Sequence, residues 1–266
     1  MPSFGLIIVG DEILSGKRQD KHLPKLIELL AARGLQLGWA RYVGDHRERI
    51  TAALREAFAS GDIVFSCGGI GATPDDHTRQ CAAAALGREL VLHPQAAELI
   101  RERMRDVAAE QGLPYEPDRP DNLHRLNMGV FPAGAQIIPN PYNKIAGFSI
   151  GDVHFVPGFP VMAHPMIEWL LDTRYAGLHG AMREVERSII VMGGLEAALT
   201  PLMERVEAAH PAVKVFSLPS VDHPQYGRHI ELGVKGRAEA VPAAFAELHA
   251  GLQAFAAELG PELVRP

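Results

Sequence analysis

An apolar run, Asp62-Ile63-Val64-Phe65-Ser66-Cys67, passes directly into Gly68-Gly69-Ile70-Gly71, then the acids Asp75 and Asp76, then a helix-compatible run from Thr78 to Leu86. Strand, glycine loop and helix start in that order mark one unit of an α/β layer. Glycines let backbone N–H groups approach a ligand closely, and a helix N-terminus offers unpaired donors to an anion. Asp75 and Asp76 add carboxylates suited to a hard divalent cation or to orienting water. A plain strand-to-helix turn, with Asp75 or Asp76 as the helix cap, is the competing reading. The ligand site is preferred because sites in parallel α/β sheets gather at the C-terminal ends of strands.

The same grammar recurs upstream. Phe4 to Val9 is a continuous apolar run, as in a buried strand, and ends in Gly10-Asp11-Glu12. Leu23, Leu26, Ile27 and Leu30 follow at helical spacing and Gly34 stops them. Residues 35–43 alternate like a strand and end in Gly44-Asp45, and Ile50, Ala53, Leu54 and Ala57 mark the next helix. Short connections between alternating strands and helices predict a three-layer α/β fold, a doubly wound and mostly parallel sheet. In such a sheet the acidic turns at 11–12, 45 and 75–76 share one edge, so their convergence is expected.

Further on, a helix is predicted over 94–111, a functional loop over 112–127, and strands at 137–138 and 153–156. Pro157-Gly158-Phe159-Pro160 closes the last strand, and a helix over 161–171 is kinked or started by Pro165. From about residue 173 the pattern changes to strand 185–192, a helix through Leu195, Leu199, Leu202 and Val206, strands 213–218 and 229–234, and a helix from Val241 to Leu259. That order, β-α-β-β-α, describes a small α+β domain. Domains are expected at 1–175 and 180–266, with the boundary near 172–182.

With 266 residues, 47% of them hydrophobic, the chain can bury a sizeable core. Lys+Arg number 26 against 32 Asp+Glu, a formal net charge of −6 that argues against nucleic-acid and anionic-membrane partners. The start lacks a signal core and no apolar run reaches a membrane span, so a cytoplasmic protein is expected. Cys67 and Cys81 have no Cys-x-x-Cys spacing and read as packed free thiols, and the 12 scattered histidines read mostly as surface or loop residues.

Gly10-Asp11-Glu12-Ile13-Leu14-Ser15-Gly16, Val43-Gly44-Asp45, the run from Gly68 to Thr78, Pro132-Ala133-Gly134-Ala135 with Asn140-Pro141, and Pro157-Gly158-Phe159-Pro160 together resemble the MoaB/Mog-like molybdopterin-binding fold. They resemble the N-terminal region of CinA-type competence/damage-inducible proteins more closely, over about residues 4–172. The end of the chain is similar to the small KH-like domain of that family, with Gly193-Gly194-Leu195-Glu196 at its glycine turn. His22 stands where the family usually has Asn, and Ala72 where its glycine loop has Pro. The amidohydrolase domain of full-length CinA proteins has no counterpart here, so deamidation is not expected, nor is RNA binding by the KH-like unit.

The resemblance implies metal-dependent hydrolysis of a nucleotide pyrophosphate such as ADP-ribose or FAD. Its alternatives are molybdopterin binding or adenylation, and a non-catalytic nucleotide-binding module. In the hydrolytic reading, amides of Gly69, Gly71 and Thr73 cradle phosphate. Gly10, Ser15, Gly16, Gly68, Thr78, Asn140, Pro157 and Gly158 complete the binding set. Asp45 and Asp76 are the catalytic acids, and Glu12, Asp75 and Asp76 hold Mg²⁺, Mn²⁺ or Co²⁺. Arg79 and Lys144 are candidate phosphate partners. The ligand is then a nucleotide or pterin, and a homo-oligomer, dimer or trimer, is implied. The apolar Trp169-Leu170-Leu171 is read as a surface between copies or between domains.

Overall fold

The computed structural model describes residues 2–180, 184–193, 196–255 and 258–265. The chain divides into two compact units, 1–179 and 180–266.

In the first unit a six-stranded sheet has the order β2-β1-β3-β8-β7-β6. Strands β1 (Phe4–Val9), β2 (Leu37–Val43), β3 (Ile63–Cys67) and β8 (Val153–Val156) pair in parallel. Strands β6 (Gln136–Ile138) and β7 (Gly147–Ile150) add an antiparallel edge. The central strands carry apolar residues on both faces because helices cover both. Phe4, Leu6, Ile8 and Phe65 join Leu26, Leu30, Met166 and Leu170 on one side, from helices α2 (His22–Ala31) and α7 (Pro160–Thr173). Ile7, Val9, Val64 and Phe155 join Ile50, Leu54 and Ala82 on the other, from α3 (Arg47–Ser60) and α4 (Thr78–Leu86). The three-layer, mostly parallel fold is therefore present.

The remaining elements of this unit are the short helix α1 (Asp11–Leu14), a two-stranded antiparallel ribbon of β4 (Leu90–Leu92) with β5 (Val130–Pro132), helix α5 (Pro94–Glu110), helix α6 (Pro120–Arg125) and 3₁₀ turns at Leu126–Gly129 and Ala176–Leu178. The expected loop over 112–127 thus contains a helix. Leu170 and Leu171 belong to the core, leaving only Trp169 exposed, which corrects their reading as a surface segment.

The second unit is a four-stranded antiparallel sheet, β10-β11-β9-β12, of β9 (Glu184–Met192), β10 (Val213–His223), β11 (Gly227–Arg237) and β12 (Glu258–Arg265). Helices α8 (Glu196–Ala209) and α9 (Val241–Ala254) supply Leu199, Leu202, Val206, Phe245 and Leu248 to its core. The expected β-α-β-β-α order gains a last strand. Leu259, expected at the end of a helix, lies in β12. Gly194 and Leu195, in the expected glycine turn, lie outside the described residues.

Candidate ligand site at the strand ends

Parallel pairing puts the turns after β1, β2 and β3 on one edge. The turn after β1 is closed by Gly10 N–H, which donates to Val43 O at 3.0 Å. Asp11 N–H donates to Asp45 Oδ2 at 2.9 Å, and Asp45 N–H donates to Asp11 Oδ1 at 3.1 Å. At Gly10 a Cβ would lie 2.5 Å from Glu12 Oε2, so a side chain there would displace the Glu12 carboxylate. A cavity of about 650 Å³ is lined by Asp11, Glu12, Leu14, Ser15, Lys17, Asp45 and Asp75. The three acidic turns therefore meet. Burial pushes the Asp45 carboxyl above its ordinary pKa, and the charges of Asp11, Glu12 and Asp75 add to the shift against the pull of the Asp11 amide.

The glycine loop after β3 is shaped by close approach. Gly68 sits at φ 105°, and a Cβ there would fall 2.3 Å from Val9 O. Gly69, at φ 69°, would meet Thr78 Oγ1 at 2.1 Å. Thr78 Oγ1 is buried and donates to Gly68 O at 3.0 Å, so its hydroxyl braces the loop instead of serving phosphate as the sequence predicts. Thr73 N–H and Oγ1 both donate to Asp76 Oδ2, at 2.9 and 2.5 Å. Of the three amides assigned to phosphate, that of Thr73 is thus committed, whereas those of Gly69 and Gly71 find no acceptor among the described residues.

Arg79 is buried, and its Nη2 donates to Gly71 O at 2.6 Å while Nη1 donates to Asn127 O. It ties the glycine loop to the 3₁₀ turn beyond α6, and His124 Nε2 donates to Ala72 O at 3.0 Å across the same junction. A second cavity, of about 460 Å³, opens between these walls and includes Arg47, Thr73, Asp76, His77, Arg79 and His124 in its lining.

Asp75 and Asp76 therefore face different cavities. Among the described residues no three His, Cys, Asp or Glu side chains gather closely enough to hold a metal, so the expected set Glu12, Asp75 and Asp76 is not brought together. Carboxylate oxygens suit a hard cation in kind, but their spacing does not form its cage.

Other expected residues have structural duties. Asn140 Nδ2 donates to Asn143 Oδ1 and Ile145 O, and its Oδ1 accepts from Tyr142 N–H, so the side chain is spent within its own turn. Lys144 pairs with Asp106 at 2.7 Å and Glu102 at 3.6 Å, not with a site at the glycine loop. Gly16, at φ 72°, follows α1 and its N–H donates to Ile13 O. Gly158, which follows Pro157, packs against Gly68, where a Cβ on Gly158 would lie 3.4 Å from Gly68 Cα, and its carbonyl accepts from His22 Nε2 at 3.1 Å. His22, His154 and His229 are buried, exceptions to the expectation that the histidines lie mostly on the surface or in loops; Cys67 and Cys81 are buried free thiols, as expected. Sequence reading missed Arg47, His77, His124 and Asn127, of which the first two flank expected site residues closely enough to have been found.

No helix among the described residues is long and apolar enough to cross a membrane. The family described as a probable molybdopterin binding domain matches residues 5–176. A Pyrobaculum calidifontis protein is 33% identical over 241 residues, covering 86% of this chain and 87% of that one. A CinA-like protein of Anaeromyxobacter dehalogenans is 34% identical over 171 residues, covering 62% of this chain; the alignment takes in 40% of that protein's length. The crystal structure of CinA from Thermoplasma acidophilum has a TM-score of 0.52 at 26% identity, covering 64% of this chain and 96% of that one. With these matches falling on the strand-end turns described above, the chain belongs to the family of probable molybdopterin binding domains, in its CinA-like form.

Proposed function

We propose that this chain binds molybdopterin, a phosphorylated pterin, at the C-terminal edge of the parallel sheet. The observation that carries the reading is the glycine loop: the amides of Gly69 and Gly71 find no acceptor among the described residues, and the loop follows β3 at the sheet edge where the acidic turns meet. Backbone N–H groups at a strand end suit phosphate oxygens. Thr73, Asp76, Thr78 and Arg79 fix the loop and so lower the entropy lost when a ligand orders it. The test is equilibrium binding of molybdopterin to the purified full chain, followed by tryptophan quenching and by extraction of the bound pterin. Saturable binding at one site per chain is expected; its absence ends the reading.

One observation favours hydrolysis of a nucleotide pyrophosphate as a second reading. Asp45 lies in the acidic cavity with raised proton affinity, as a general base acting on water requires. The tight Asp11–Asp45 exchange orients that carboxylate. A panel of dinucleotides, ADP-ribose and FAD included, is incubated with the protein with and without Mg²⁺, Mn²⁺ or Co²⁺, and AMP release is read by mass spectrometry. AMP formation abolished by Asp45→Asn supports this reading, and no product under any condition removes it.

A further inference from the structure

Strand β4 pairs with β5 alone, and its outer edge has no strand beside it among the described residues. The ladder fixes which groups face outward. Ala133 N–H donates to Glu89 O and His93 N–H donates to Gly129 O, each at 2.9 Å, so residues 89, 91 and 93 bond toward β5. Bonded and non-bonded positions alternate along an antiparallel pair, which turns the N–H and C=O of Leu90 and Leu92 away from β5. None of these groups has a main-chain partner among the described residues. Leu90, Val91 and Leu92 are 37%, 38% and 43% exposed, three large apolar side chains in a row. A bare apolar edge of this kind is a template for another strand.

The other sheet edges are guarded. In β10, Val215 N–H donates to Glu207 Oε1 and not to β11, and Pro219 shares its parity, so the missing N–H of Pro219 lies on the open edge. β12 contains Pro261, β5 ends in Pro132, β6 runs into Pro139, and β2 carries Arg41 paired with Glu56. Proline and charge are the usual means of keeping an edge single. β4 has neither within its span.

We propose that β4 pairs with β4 of a second copy of this chain, antiparallel about a twofold axis at Val91. Leu90 then faces Leu92 of the second copy and exchanges both main-chain hydrogen bonds with it, and Leu92 does the same with Leu90 of the second copy. Val91 meets its own counterpart on the axis. Glu89 falls opposite His93 of the second copy. His93 Nδ1 accepts from Ala96 N–H at 3.4 Å, so its ring proton sits on Nε2, as a donor to that carboxylate. The edge is thus its own complement in hydrogen bonds, in apolar contact and in the flanking polar pair, as a twofold contact between identical chains requires. Two separate ribbons become one continuous sheet, a more stable unit than either. Leu90 also lines the cavity between the glycine loop and α6, so the pairing sets Leu92 of the second copy beside that cavity's wall. The dimer stands independently of what the cavity binds.

The experiment is sedimentation velocity of the purified full chain from about 5 to 500 μM, a span that brackets the dissociation constant on the order of 100 μM expected for so small an interface. A concentration-dependent dimer is expected. Leu92→Pro removes an outward N–H without touching a bond to β5, and is expected to stay monomeric over the whole span with an unchanged circular dichroism spectrum. Val91→Lys and Val91→Glu each set like charges face to face on the axis, and each weakens self-association by about tenfold. Mixing the two variants restores a dimer of one copy of each, a rescue that a merely misfolded edge does not give. A chain monomeric at about 500 μM, above the micromolar range of specific weak pairs, overturns the proposal. A dimer or trimer indifferent to Leu92→Pro, or Val91 variants that do not rescue each other, overturns it as well.

Discussion

Asp11 and Asp45 exchange hydrogen bonds, each backbone N–H donating to the other's carboxylate, at 2.9 and 3.1 Å. The exchange locks the turns after β1 and β2 together and forces two like charges into proximity. Burial of Asp45, together with that repulsion, has a measurable cost.

Asp45 binds its proton more tightly in the fold than in the unfolded chain. Its contribution therefore favours folding below the ordinary carboxylate range and declines as pH rises through the raised value. Asp45→Asn keeps an acceptor for the Asp11 amide while removing the charge. Thermal unfolding is expected about 1–2 °C higher than wild type at neutral pH, with the gain vanishing near pH 4. A variant less stable at neutral pH contradicts the repulsion argument.

Gly68→Ala is expected to cost about 3 kcal/mol, from the left-handed backbone and the collision with a main-chain oxygen. The 2.3 Å approach to Val9 O leaves nothing flexible to yield. Urea unfolding measures the loss, and a loss under about 1 kcal/mol means that the loop relaxes.

Asp76→Ala frees both donors of Thr73. The expected stability change is about 1–2 kcal/mol, with a larger effect on ligand binding because the loop loses its fixed shape. Affinity for molybdopterin is expected to fall about tenfold in calorimetry. Equal affinity in variant and wild type removes Asp76 from the site.

His154 sits in a buried chain whose proton directions are determined. Tyr175 Oη donates to Asp152 Oδ1, so its oxygen accepts from His154 Nε2, and His154 Nδ1 accepts from Ser149 Oγ. Burial, helped by Arg174, lowers the His154 pKa to about 3. Its neutral form contributes stability present above the ordinary histidine pKa and lost progressively as pH falls toward the lowered value. Imidazole NMR is expected to find the Nε2–H tautomer, without titration down to about pH 4. A midpoint near that of a free histidine refutes the chain.

Much of the first unit was legible because its central strands and helices carry strong periodic signals. Phe4–Val9, Ile63–Cys67 and Thr78–Leu86 follow directly from apolar runs and glycine punctuation. β4 and β5 were missed because three residues each carry no periodicity. β12 was hidden by Gly260 and Pro261, which argue against a strand; here Pro261 falls in the register shift between Leu259 and Glu262, on a sheet edge where a missing N–H is tolerated. At the site, the convergence of acidic turns followed from parallel topology alone. The roles of Thr78, Arg79, Asn140 and Lys144 did not, because a hydroxyl, amide or cation in a motif gives no sign of which partner claims it until the fold brings neighbours near.

The β7–β8 hairpin has a consequence for how the first unit assembles. Ile150 and Val153 pair across a two-residue turn whose first residue, Gly151, holds φ 56°. Such a ribbon closes in roughly 1–10 μs, long before Val153–Val156 can find β3 across a chain separation more than ten times the length of the turn region. Docking of this preformed ribbon onto β3 is then the slow, loop-closing step, so pulse-labelled amides bonded between β7 and β8 gain protection earlier than those bonded between β3 and β8.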